Sequence, residues 1–484
     1  MTEITVIRDC DWLVGWNQEA GEHRYLRGAD IAFSGDGIVS VGGRYDGLFA
    51  SERSGRGLLV MPGLVNIHSH PGSEPLRKGI TDETRSPGFH HSSLYEFLTV
   101  FDNDNEGRKA ALNVAVAELL LSGCTTFTDL SVPYEGWLDM LESSGIRCVV
   151  APGFRDARWI TRDGHSLEYE WDQATGREGF EAARRVLDRV AQHPSGRLSG
   201  MVYPAQIDTC SRELLRDSSD LAKERQLPWQ THAAQSVTEF HEMQRRHGRT
   251  PIAWLDEIGA LGEYSILGHG IFLDHHPWLH WTTREDFEIL RKRGASIAHC
   301  PTVFARRGIA LRTLGGYLRE GINVGIGTDT YPHNMLEEMR TAMMTARIVA
   351  ESVADLYTSD VFNAATLGGA RALKRDDIGR LAPGCKSDLV LIDLSEASMR
   401  PVREPLRSLM YVACERAVKD VYVDAELVVS NGCIQTIDLE DALDALTEAQ
   451  QRSLERTRGL DWAGRSAEQL SPMVFCVDAT DSNP

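Results

Sequence analysis

From about residue 61 the chain repeats one pattern eight times: an apolar run of strand length, then a longer stretch that is mostly amphipathic and helical in period. The strand-length runs fall at 63–67, 125–129, 147–152, 198–203, 228–232, 265–271, 295–299 and 323–327. Between them lie patterns such as EGRKAALNVAVAELLLSG, EGFEAARRVLDRVA, SRELLRDSSDLAKERQ and TREDFEILRKRG. Eight strands, each followed by a helix, are the count of a (β/α)8 barrel. The expected fold class is therefore α/β, a TIM-like barrel over residues 61–373.

The flanks read differently. Residues 1–60 hold short alternating strands, ITVIRD, YLRGADIAF and GIVSVG, with Gly-Asp-Gly as a turn. Strand signals return in SDLVLIDL and AVKDVYVDAELVVSNG. Neither end can bury a face alone, so residues 1–60 and 374–435 are expected to form one small discontinuous β domain. Residues 436–484 read as a polar helical extension ending in an acidic tail, DATDSNP.

Candidate chemistry sits at the strand ends. His68 and His70 form H-x-H at the end of the first barrel strand, where residues i and i+2 face the same side. His232 ends strand five, His269 lies on strand six, His299 ends strand seven and Asp329 follows strand eight. Barrel enzymes keep their active sites at this face. Three imidazoles and one carboxylate suit a borderline divalent ion, zinc first, with iron, manganese or cobalt as alternatives. Such an ion activates water and polarises an electrophile, and Asp329 can accept the water's proton.

Composition narrows the partners. The formal net charge is -19, which disfavours nucleic acid and anionic membranes. No uncharged apolar run reaches the ~18 residues of a membrane span, and the first residues lack a signal-peptide pattern. The nine scattered cysteines include no C-x-x-C pair, which fits a reducing cytoplasm. A small-molecule substrate and a homo-oligomer are the expected partners.

The segments MPGLVNIHSH, LRKGITDE, ELLLSGCTTFTDL, THAAQ, GHG, AHCP, GTDTYPHNMLEEMR and IGRLAPGCKSDLVLID together resemble the amidohydrolase superfamily. The branch is the one with cytosine deaminase and the triazine hydrolases, and the wording of HCPTVFARRG and GTDTYPHN is similar to molinate and phenylurea hydrolases. The resemblance implies one metal ion per chain on His68, His70, His232 and Asp329. It gives His269 a contact to the water or the substrate. Two departures stand out. Deaminases of the branch carry H-x-x-E at strand five, where the glutamate shuttles a proton; here that position is Gln235. A histidine usual at strand four is replaced by Ala205.

Glutamine cannot act as a general acid, so both departures count against nucleobase deamination. The sequence therefore favours hydrolysis of a C–N bond in an amide, urea or (thio)carbamate-like molecule, aromatic ones included. His269, Asp329 and Gln235 are the catalytic candidates. The alternatives are a deaminase or dechlorinase of a heteroaromatic ring, and a non-catalytic metal-binding scaffold. Candidate substrate contacts are His299, Arg306, His333 and, in the loop after strand six, His275, His276 and Trp278. Arg307 beside Arg306 could also meet a carboxylate or carbonyl. His90 and His91 fall in a long loop after strand one that could form a lid.

Overall fold

A computed structural model describes residues 3–476. The eight expected strands all form. They are Leu64–Ser69, Cys124–Ser131, Arg147–Phe154, Leu198–Gly200 continued by Tyr203–Pro204, Trp229–Ala233, Ser265–His269, Ser296–His299 and Val324–Ile326. All the ladders between them are parallel. Two seams close the ring: Val202 and Gln206 bridge to Trp229 and His232, and Ser69 bridges to Asp329. The result is a (β/α)8 barrel. Its strands are buried almost throughout, as parallel strands with helices outside must be.

The chain ends meet as their patterning requires. Leu389–Asp393 pairs antiparallel with Leu58–Pro62, which in turn lies beside Trp12–Asn17. These strands belong to one seven-stranded sheet built from both flanks. A second, four-stranded sheet comes from the N-terminal flank alone. Ile7, Phe33, Val60, Leu389 and Leu391 share a core between them. At the bottom of the barrel, buried Arg147 reaches Asp388 at 3.0 Å and Asp424 at 2.7 Å, tying strand three to this β unit.

The C-terminal extension is helical over Leu439–Leu460 and Ala467–Leu470; the acidic tail lies outside the described residues. Ala442, Leu446 and Ala449 pack on Ala110, Ala111 and Val114 of the helix Asn105–Leu121. Beyond that contact the extension holds the long segment 71–104. Gln450 donates to the carbonyls of Leu76 and Lys78, Trp462 donates to Glu96, and Ser471 donates to the Ile80 carbonyl. The loop after strand one is thus folded over the barrel mouth and braced from outside.

Candidate metal centre and substrate cavity

Strand ends bring His68, His70, His232 and Asp329 together, with their ligand atoms all within 4.8 Å of one another. His68 Nε2 and His70 Nε2 each lie 3.3 Å from Asp329 Oδ1, and His70 Nε2 lies 3.3 Å from His232 Nε2. Ligands ~2.0–2.1 Å from one ion at tetrahedral angles stand ~3.3–3.4 Å apart, so these spacings are those of a single-ion site. His68 Nε2 is buried and has no hydrogen-bond partner. A buried polar atom in that condition is costly unless a ligand takes its lone pair. The residues present fit a divalent ion.

Each ring is turned by its other nitrogen. His68 Nδ1 lies 2.5 Å from Gln230 Oε1, His70 Nδ1 3.1 Å from the Leu130 carbonyl, and His232 Nδ1 2.7 Å from the Ala205 carbonyl. These oxygens only accept, so Nδ1 carries the hydrogen and Nε2 keeps its lone pair for the ion. Gln230 is itself oriented, donating Nε2 to the Ile67 carbonyl at 3.0 Å. Room for the His68 ring comes from two glycines. A Cβ on Gly268 would stand 2.5 Å from His68 Cε1, and one on Gly327 would stand 2.7 Å from His68 Cβ.

Asp329 adopts φ 57°, a left-handed conformation that aspartate tolerates better than most residues. Backbone bonds fix it there: its N–H donates to the His68 carbonyl at 2.9 Å, and the His70 N–H donates to its carbonyl at 3.0 Å. Burial pushes the Asp329 carboxyl up, but His269, His68 and His70 outweigh it and hold it well below the ordinary carboxylate range. Burial, then the neighbouring imidazoles, keep His232 well below its usual value and neutral. Burial also lowers His269, to about 3. Its Nε2 is 3.8 Å from Asp329 Oδ2, and its Nδ1 is buried without a partner. His269 stands outside the four-residue group; it also lies near His68 and Cys300, whose thiol burial pushes well above its usual value.

The cluster forms the floor of a cavity of about 740 Å³. Tyr95, Trp159, Tyr203, Phe272 and Phe304 give it flat aromatic walls. Gln235 lines it, with a buried Nε2 that lacks a partner. The turn that presents Gln235 is a local cap. Ser236 starts the helix Val237–His247 by accepting from the Glu239 N–H, and the Glu239 carboxylate accepts from the N–H groups of Ala234 and Gln235. Tyr95 of the segment 71–104 reaches Ser236 Oγ at 2.6 Å. His90 of the same segment lines the cavity.

Of the six expected substrate contacts, Arg306 alone is in the wall. It is held by Asp82 at 3.4 Å and by the Tyr331 carbonyl at 2.7 Å. His299 is buried near His269, and burial lowers it to about 3. His333 turns inward to Thr328 Oγ1 at 2.9 Å. Past Phe272 the loop after strand six leaves the cavity wall, and Asp274 ties its far part to Thr283 and Glu285. His275 therefore faces a separate surface hollow, His276 accepts from the Trp278 N–H, and Trp278 is half exposed beside Phe272. Sequence reasoning missed Gln230, although it shares a strand face with His232 two residues on. It also missed the aromatic walls, which come from elements and loops distant in sequence.

Comparisons with known proteins agree with this architecture. A model of the amidohydrolase family matches residues 59–428. The chain is 29% identical over 402 residues to 5'-deoxyadenosine deaminase of Methanosphaera stadtmanae, covering 82% of this chain and 88% of that protein. It is 27% identical over 418 residues to 5-methylthioadenosine/S-adenosylhomocysteine deaminase of Nitratidesulfovibrio vulgaris, covering 83% and 86%. An adenosine deaminase from Xanthomonas campestris with bound zinc superimposes with a TM-score of 0.79 at 23% identity, over 93% of this chain and 98% of that one. An atrazine chlorohydrolase from Arthrobacter aurescens complexed with zinc gives 0.75 at 20%, over 92% and 100%. At these identities the two solved structures establish the fold alone.

Proposed function

We propose that this chain, which belongs to the amidohydrolase family, is a single-metal hydrolase that displaces an amino group from a heteroaromatic ring. The observation that carries the reading is the 3.3 Å ligand cluster at the floor of an aromatic-walled cavity. Flat walls suit a planar ring, and the volume suits a nucleoside-sized molecule. The named relatives are deaminases, which favours the ring-deaminase alternative over the amide, urea and (thio)carbamate class that Gln235 suggests in the sequence. A non-catalytic metal-binding scaffold would need the donor set but not the aromatic-walled cavity above it.

His68, His70, His232 and Asp329 would hold the ion, zinc by the character of the donors. When bound, it supplies an activated water at neutral pH and polarises the ring carbon. Asp329, whose carboxyl lies well below the ordinary range and is therefore ionised, takes a proton from the attacking water at its carboxylate. The same carboxyl can return that proton to the leaving nitrogen. His269, neutral and with its Nε2 towards Asp329, orients the attacking oxygen. Gln235 offers an amide N–H to the ring but no proton to transfer. The cytoplasm and a homo-oligomer complete the reading, and nine free cysteines suit a reducing compartment.

Gln235 also favours a second reading, hydrolysis of anilide-, phenylurea- or thiocarbamate-like compounds whose leaving groups need less protonation. One panel separates them. Ammonia release from 5'-deoxyadenosine, guanine or aminotriazines supports the deaminase reading, and Gln235→Glu should raise that rate by ~10–100-fold by restoring a proton donor. Amine plus acid from phenylureas, with no ammonia from any ring, transfers the assignment to the second reading.

A further inference from the structure

Charges in the cavity wall largely pair off. Glu74 meets Arg77, Asp102 faces Arg108 at 4.0 Å, and Glu170 meets Arg158 at 2.6 Å. Arg306 has Asp82, and Glu96 has Arg465 of the C-terminal extension. Two lining arginines, Arg155 and Arg307, have no carboxylate within 4.0 Å among the described residues. Arg155 is exposed, so water serves it.

Arg307 is different. It is partly buried on the loop after strand seven, inside the cavity. Its Nε and Nη2 donate to Ser93 Oγ at 3.1 and 2.5 Å, and its Nη1 donates to the Val303 carbonyl at 2.7 Å. All three acceptor contacts are to neutral oxygens. A guanidinium has five N–H donors, so one on each terminal nitrogen is left over. Burial pulls the Arg307 pKa down, with Glu74 and Asp329 opposing from farther off. The group nonetheless stays charged, because arginine does not deprotonate in proteins. A charge partly removed from water without a counter-ion carries a cost that an incoming anion can offset. The chain carries 70 acidic against 51 basic residues, so the missing partner does not reflect a shortage of carboxylates.

We propose that Arg307 is the anion-recognition residue of this site, and that the substrate carries a carboxylate which docks on its two free N–H donors. One guanidinium balances one unit of charge, which matches a carboxylate rather than a phosphate dianion. Ser93 belongs to the segment 71–104 over the barrel mouth, so the same arginine would join the bound carboxylate to that segment. The proposal rests on the hydrolase reading above and narrows it to ring substrates with an acidic substituent.

Two unreactive probes of one shape, pyrimidine-5-carboxylate and pyrimidine-5-carboxamide, read the charge preference by calorimetry on zinc-loaded protein without turnover. Wild type should bind the acid ~10–100-fold more tightly than the amide. Arg307→Gln should erase that preference by weakening the acid, with amide affinity and zinc content unchanged. Arg307→Lys, which keeps the charge but loses the fork, should retain part of it, and it decides the matter if the glutamine variant does not fold. Equal binding of acid and amide by wild type would overturn the proposal. So would an acid preference undiminished in the variants but lost on chelation, which would assign the carboxylate to the metal cluster. Failure of the deaminase reading appears separately, as no ammonia from any aminoheteroaromatic ring, whichever probe binds.

Discussion

Asp329→Asn should lower turnover by at least ~10³-fold and strip the metal from the purified protein. Asparagine keeps the volume and tolerates the left-handed backbone at φ 57°, so the strand-eight turn and its bonds to His68 and His70 survive. What is lost is the anion that faces His68, His70 and His269. Without it the site has three neutral donors and no charge to set against a divalent cation, and no base for the water's proton. Circular dichroism should be unchanged, which separates this effect from unfolding. An asparagine variant with a tenth or more of wild-type turnover would remove Asp329 from the chemistry.

His269→Asn should cost ~100-fold or more in turnover with metal content near wild type. The imidazole is 2% exposed, packed edge-on against Phe304 at 4.7 Å, and placed 3.8 Å from Asp329 Oδ2. That distance is longer than the 3.3 Å spacings inside the ligand set, so His269 is expected to stand beside a bound ion rather than on it. Burial keeps it neutral, able to bond an oxygen without competing for a proton. Asparagine retains a donor near the Nδ1 position but withdraws the Nε2 that faces Asp329. Loss of metal together with activity would make His269 a ligand, in the alternative grouping with His68 and Cys300.

The barrel is legible in the sequence because parallel strands buried on both faces read as continuous apolar runs, and each is punctuated by an amphipathic helix. The observed strands Cys124–Ser131 and Arg147–Phe154 extend past the expected 125–129 and 147–152, since the apolar run stops before the ladder does. The ligand set is legible for a related reason: strand alternation alone aims His68 and His70 at the same mouth. The rest of the site depends on contacts that no local pattern records. His68 is oriented by a glutamine 162 residues away, and Gly268 makes room for it from strand six. Trp278 looks like pocket lining because its neighbours are aromatic, but the loop leaves the cavity wall past Phe272. Arg307 looks like a solvated surface residue until its neighbours are known to be neutral.

Titration of chelator-treated protein with Zn²⁺, followed by activity and by elemental analysis of each sample, tests the central claim most directly. A single four-residue site predicts that activity rises linearly and breaks at one ion per chain, and that no activity remains before the first addition. A break at two ions per chain, or full activity in metal-free protein, would contradict it.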